Sequence, residues 1–448
     1  MQKEEGANDR KKQKALSVSI KEGCAAGVSS SIGETYITPM ALAVNTQPLQ
    51  IGFLNSIPGI AGPLAQLFGS KLMESLSRKK IVMLFVLMQA LLWIPIGLLA
   101  VLVHFNILTS NAPIYLIIAY TIVVIAGSVA HPAWFSWMGD LVPASDRGKY
   151  FSLRNRAIGT TGLVTVLAGA FMLDLFKTQG YILLGFALLF AIASTSRMIS
   201  YILLRKQYSP KFRVLKRDYF SFWQFMKKMD NYGKFSIYLA FFNGAIMIAS
   251  PFFAVYMLQY LKFSYVTFMI ISISSTVVYL LSIPIAGKFS DRYGNVKLMH
   301  VANVLFILTP ILWIFIKNPF WLIGIPQVIS GLANAAFIIA ATNFNYDAVS
   351  PEKRGLCVSY NNILVGAGMF IGPIIGGLIV NYYHPSALNP YLFLFGVAAF
   401  FRLVVGLIFL PGIKEVKKIK YIPNFSMEVT HPWKAIHNDV SWLKHIVK

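Results

Sequence analysis

Residues 80–105 read KIVMLFVLMQALLWIPIGLLAVLVHF and carry one Lys/Arg/Asp/Glu charge, at the first position. About 20 apolar residues in a helix cross the hydrocarbon core of a bilayer. A buried helix of a soluble domain explains neither the length of this run nor its recurrence along the chain. Of the 448 residues 56% are hydrophobic and only 13% charged, against about 25% charged in soluble domains. Twelve spans are predicted, at 18–44, 48–70, 80–104, 113–139, 156–176, 180–204, 235–260, 264–286, 297–316, 319–345, 360–382 and 389–411. The first is the least apolar, and the polar, basic residues before it are not a secretory signal.

The net charge of +23 is unevenly spread. With the N-terminus in the cytoplasm, the cytoplasmic segments hold 35 of the 40 Lys and Arg, and the outer loops hold Lys177, Lys262 and Lys317. That asymmetry predicts both termini cytoplasmic, in a plasma or inner membrane. Basic residues dispersed over short inner loops suit anionic lipid headgroups and argue against nucleic acid as a partner. Cys24 and Cys357 fall near cytoplasmic helix ends, so no disulfide is expected.

The chain also repeats itself. DLVPASDRGKYFSLRN at 140–155 lies over DAVSPEKRGLCVSYNN at 347–362 with a shift of 207, aligning Asp140 with Asp347 and Arg147 with Arg354. One copy follows span 4 and the other span 10. The expected plan is therefore all-α: a cytoplasmic segment 1–17, a six-helix bundle 18–204, a linker 205–234, a second bundle 235–412 and a tail 413–448. Each half has an even number of spans, so the two bundles share one orientation, related by an axis along the membrane normal. FRVLKRDYFSFWQFMKKMD at 212–230 mixes lysines with aromatics, as an interfacial helix does, with an irregular tether as the alternative. In the tail, Trp433, Ile436, Val440, Leu443 and Val447 mark one helical face.

After span 8 comes GKFSDRYGNVK at 287–297, which resembles the G-x-x-x-D-R/K-x-G-R/K-R/K signature of the major facilitator superfamily. Gly287, Asp291, Arg292 and Gly294 match; Asn295 and Val296 depart from the basic pair. GSKLMESLSRKK at 69–80 is a degraded copy, with Glu74 in the acidic role, Ser77 for the second glycine and Arg78 beginning the basic end. The resemblance covers about residues 15–415. It implies that Glu74, Arg78, Asp140, Arg147, Asp291, Arg292, Asp347 and Arg354, with Gly287 and Gly294, act as inner-face latches, carboxylates pairing with arginines or with neighbouring helix N-termini. Solvated loop charges are the alternative. GAGMFIGPIIGG in span 11 has small residues four apart, which let helices approach closely.

The resemblance further implies that helices 1, 4, 7 and 10 line a central cavity. Those spans carry polar candidates: Ser30, Glu34 and Thr38 in span 1; His131 and Trp134 in span 4; Tyr238 and Asn243 in span 7; Gln327, Ser330 and Asn334 in span 10. Span 2 adds Asn55, whereas spans 3 and 9 look lipid-facing. Glu34 is read as the only acidic residue near the middle of a span. An ionised carboxylate at that depth costs at least about 2.5–3.5 kcal/mol unless water or a partner reaches it. It suits proton coupling or cation binding, with a structural hydrogen bond as the alternative. His131, before Pro132, suits packing as well as function. Arg197 and Arg402 are expected to snorkel to inner headgroups.

A secondary transporter for a small organic solute follows, working as a monomer by alternating access, with protons as coupling ion. A drug or lipid exporter on the same fold is the alternative, and a non-transporting membrane sensor a remote one. An enzyme is not expected: H-E-x-x-H, G-x-S-x-G and the P-loop are absent. No metal or cofactor is expected.

Overall fold

The computed structural model describes residues 2–142, 147–209, 222–228, 230–349, 351–383 and 389–417, with side chains throughout except at 2–14, 147–149, 152, 226, 228 and 351–356. Most of the linker and the predicted tail helix lie outside the described residues. The first half comprises α1 (Gln2–Gly33), α2 (Ile37–Ala43), α3 (Pro48–Leu72), α4 (Arg78–His104), α5 (Ala112–Leu141), α6 (Arg147–Thr178) and α7 (Ile182–Lys206). A short helix of the linker, α8 (Phe222–Lys228), precedes the second half. That half comprises α9 (Asn231–Met247), α10 (Ser250–Val255), α11 (Tyr265–Tyr293), α12 (Asn295–Phe315), α13 (Pro319–Gly324), α14 (Pro326–Ala348), α15 (Pro351–Tyr382) and α16 (Pro390–Phe409).

Eleven helical stretches among the described residues are long and apolar enough to cross a membrane. The twelfth predicted span is α1 with α2. Lys21, Glu22 and Glu34 make it more polar than the rest, and a turn at 34–36 divides it. It still packs along α6 and α7 as a member of the first bundle. Leu84, Leu91, Ile94 and Leu98 of α4 are each about half exposed, a lipid-facing stripe that a soluble surface rarely tolerates.

The repeat is visible in the packing. In the first half α3 packs on α5, α4 on α5 and α7, and α1 on α6 and α7. In the second, α11 packs on α14, α12 on α14 and α16, and α9 on α15 and α16. Each pair in the first set has its counterpart in the second.

The loop after span 8 turns on Gly294, whose φ of 94° belongs to the left-handed region that a side chain strains. Its counterpart Ser77 has φ −68° and caps α4 by accepting from the Lys80 amide, because that loop is longer. A Cβ at Gly287 would meet nothing within 4 Å, so packing does not require glycine there.

The described starts of the linker and of the tail lie at one end of the bundle, called here the basic end. At the far end α3 meets α15 through Gly52 against Pro373 and Gly377 against Leu49. There too, Asp174 of α6 accepts from the amides of Tyr265 (2.8 Å) and Val266 (3.0 Å) at the start of α11. A carboxylate at a helix N-terminus answers both the unpaired amides and the helix dipole. Among the described residues, comparable packing of one half on the other is confined to α3–α15, α6–α11 and the α2 and α3 contacts with α10.

One sequence expectation changes here. Arg402 does not snorkel: it is 2% exposed and donates to the carbonyls of Phe306 (2.7 Å), Ile246 (3.2 Å) and Ala245 (3.5 Å). Ser250 and Pro251 begin a new helix there, so the Ala245 and Ile246 carbonyls lose helical partners and the guanidinium supplies replacements. The linker helix α8 docks through Phe225, whose ring lies 5.6 Å from Tyr360, while Trp223 points outward.

Candidate functional site

A cavity of about 350 Å³ lies inside the first half. Glu34, Ser30 and Ser29 reach it from α1 and the turn that follows; Gln66 comes from α3; Gln89 and Trp93 come from α4; Ser128 and His131 come from α5; Arg197 comes from α7. Glu34 is exposed toward it, since the break after Gly33 turns the side chain off the helix. Gly33 is needed there: a Cβ would strike the Trp93 ring.

Arg197 is the second correction. It faces the cavity instead of snorkelling, donating through Nε (3.0 Å) and Nη2 (2.6 Å) to Gln89 Oε1. Gln89 Nε2 in turn donates to the Val123 carbonyl at 3.1 Å, which fixes the amide orientation. Span 3, which looked lipid-facing, therefore also lines the cavity. One buried glutamine in it aims a guanidinium at the cavity that holds Glu34.

The first half carries another carboxylate that the sequence reading missed. Glu22 of α1 is 3% exposed, accepts from Ser200 Oγ at 2.8 Å and pairs with Arg154 Nη2 at 3.3 Å. Trp134 lies under this Arg154, 4.5 Å from ring centroid to guanidinium. Trp134 thus serves the ion pair and does not line the cavity.

The other candidates divide by chemistry. Asn55, Asn243 and Asn334 each donate to the carbonyl four residues earlier, as a polar group does inside an apolar helix. Ser330 also accepts weakly from Asn334, and Gln327 is buried. Thr38 is half-buried in α2. Tyr238 is fully buried, its ring stacked 5.2 Å from Phe242 in the core of the second half. The charged groups of the cavity thus come from one half.

The proposed latch residues pair inside each half. Arg78, 2% exposed, donates to Asp140 at 2.6 Å and to the Ser136 carbonyl at 2.9 Å, joining the start of α4 to the end of α5. At the matching place Asn295 donates to Asp347 at 2.8 Å, joining α12 to α14. The departure from the basic signature is thus an amide doing in one half what a guanidinium does in the other. Asp291 pairs with Lys417 at 2.6 Å, and Glu415 accepts from the Val296 amide at 2.8 Å, so the start of the tail is clasped to this loop. Arg292 lies over the Tyr293 ring at 5.4 Å. Glu74 is exposed; the side chains of Arg147 and Arg354 lie outside the described ones. Arg78–Asp140 lies within the first half and needs no contact from the other half to form.

The chain is similar to known proteins. The profile of the Major Facilitator Superfamily matches residues 23–247 and again 235–443. The multi-drug resistance efflux pump PmrA of Streptococcus pneumoniae is 32% identical over 150 residues, 34% of this chain. The chain spans about a third (34%) of that pump's length in the match. Among solved structures, the nucleoside transporter NupG superposes with TM-score 0.68 and 16% identity, over 90% of this chain and 99% of that one. A bacterial homologue of the iron transporter ferroportin gives 0.69 in its inward-facing state, at 15% identity over 90% and 99% of the chains. The same description in the outward-facing state gives 0.60, at 14% identity over 89% and 99%.

Proposed function

Because the chain belongs to the Major Facilitator Superfamily, we propose that it is a secondary active transporter that moves a small organic solute through the bundle by alternating access. The observation that carries this is the cavity in the first half, where Glu34 and Arg197 stand within helices otherwise packed for lipid. Membrane interiors keep such groups for transport paths and relays. Asp174 clasps α11 to α6 at the far end, and the contacts between the halves run through α3–α15, α6–α11 and α10, which supports a state closed at that end. The protein works as a monomer without enzymatic activity, and protonation of Glu34 couples transport to a proton gradient.

A lipophilic cation as substrate is the second reading. The efflux-pump relative favours it, as does a cavity pairing one carboxylate with the Trp93 ring. Two measurements test the proposal. Proteoliposomes are challenged with ethidium and with tritiated uridine, with and without a pH gradient; one probe is expected to move faster than in protein-free vesicles. Spin labels at Ser75 and Lys297, exposed at the basic end of either half, report its opening. Two distance populations are expected. A single unchanging distance contradicts alternating access.

The basic end is assigned to the cytoplasm by its charge. A cysteine placed at Ser209 is expected to resist an impermeant reagent applied outside cells, and ready labelling would reverse the orientation.

A further inference from the structure

Arg154, Arg197, Glu22 and Glu34 lie inside the first half, and hydrogen bonds link both arginines to Glu22. Arg197 has two working edges. Nε and Nη2 are held by Gln89, while Nη1 reaches Ser200 Oγ at 3.5 Å, one turn along α7. Ser200 is fully buried, and its single hydroxyl proton goes to Glu22 Oε1 at 2.8 Å. The other Glu22 oxygen takes Arg154 at 3.3 Å. Glu22 therefore touches one arginine directly and the other through a serine. It lies outside the cavity that Glu34 lines.

This arrangement answers a problem of charge. With both carboxylates ionised, the four groups sum to zero. When Glu34 takes up a proton, Arg197 loses its cavity-side anion while staying in a low-dielectric site. A cation so placed either finds another anion or moves. The groups facing Glu34 are Arg197 and, from α5, Tyr120 and His131; none of them is a carboxylate. Those facing Glu22 are Arg154 and Tyr150 of α6 and Ser200 of α7, with Arg197 behind it.

We propose that Glu22, acting through Ser200, is the positioning counter-ion that holds Arg197 in place while Glu34 is protonated. The inference rests on the proton-coupling reading above. Glu22 bridges the two arginines, Arg197 keeps its grip on Gln89, and the proton goes to and from Glu34. The proton affinity of Glu34 then depends on a residue outside its cavity.

The test needs no substrate. Purified protein in liposomes is titrated, and the infrared band of protonated carboxyl groups is followed. Wild type is expected to show a titrating band that Glu34→Gln removes. In Glu22→Gln, Glu34 becomes the sole anion for Arg197 and holds its charge more firmly, so the midpoint falls by about one pH unit, a tenfold weaker proton affinity. Ser200→Ala changes no charge and cuts the bridge, so the midpoint falls by less in the same direction. If Glu22→Gln does not fold, Ser200→Ala decides alone. A Ser200→Ala midpoint equal to wild type overturns the bridge, even when Glu22→Gln shifts, because through-space repulsion explains that shift by itself. Unchanged midpoints in both variants return Glu22 to a packing role. Absence of any Glu34-dependent band instead overturns the coupling reading, and the inference falls with it.

Discussion

Glu34→Gln is expected to abolish transport driven by a pH gradient, reducing it to the rate seen without a gradient, while exchange of substrate across the membrane persists. Glutamine keeps the shape and hydrogen-bonding length of a protonated glutamate and removes its titration. A proton drives a conformational cycle only by binding the two facings unequally. With Glu34 the one carboxylate among the residues lining the cavity, its loss leaves the gradient nothing there to act on. Counterflow of ethidium, measured beside uptake under a gradient, separates the outcomes. Loss of both makes Glu34 the partner of a cationic substrate. Gradient-driven uptake at the wild-type rate would leave Glu34 with a structural hydrogen bond and sink the coupling mechanism.

The second large effect concerns α15. The segment written GAGMFIGPIIGG lies flush against two helices at once. Gly368 and Gly372 meet the backbone carbonyls of Ala240 and Gly244 in α9, Gly376 meets that of Ile248 just after it, and Gly366 and Gly377 face α3. A Cβ on Gly372 would strike the Gly244 carbonyl and come within 2.9 Å of Met247 Cβ. The first obstacle is backbone and cannot rotate away, so Gly372→Val has to push α15 off α9. Overpacking of this kind costs about 1–3 kcal/mol. The variant is expected to unfold at a lower temperature in detergent and to lose transport with it, because α15 also joins the halves through α3. A melting midpoint equal to wild type would mean that α9 and α15 are not in this contact in solution.

Much of the architecture was legible because it depends on run length and small residues. Apolar stretches marked the spans, the 140/347 repeat marked the two halves, and glycines four apart marked the close packing of α15. The first span was the faintest for a physical reason: the charges that weaken its apolar signal, Glu22 and Glu34, are the ones its bundle uses. Glu34 and His131 stood out as polar residues in apolar runs, and both line the cavity. Arg197 and Arg402 were misjudged because a long cationic side chain near a helix end fits headgroups equally well on sequence. Their partners decide otherwise, and those are a glutamine in another span and three carbonyls, two of them at the break after α9. A backbone carbonyl has no sequence signature. Tyr238 failed in the opposite direction, since a polar aromatic on a predicted cavity helix turned its ring into the core.

The far-end clasp has a consequence for sequence variation. Asp174 holds α11 by two main-chain amides, and Ser264 takes the next, at Thr267. Every residue except proline brings an amide to positions 265 and 266. Tyr265 and Val266 can therefore drift without loosening the hydrogen bonds. The whole identity of that gate is concentrated in one aspartate on the opposite half, where an alignment of the α11 side would show no trace of it.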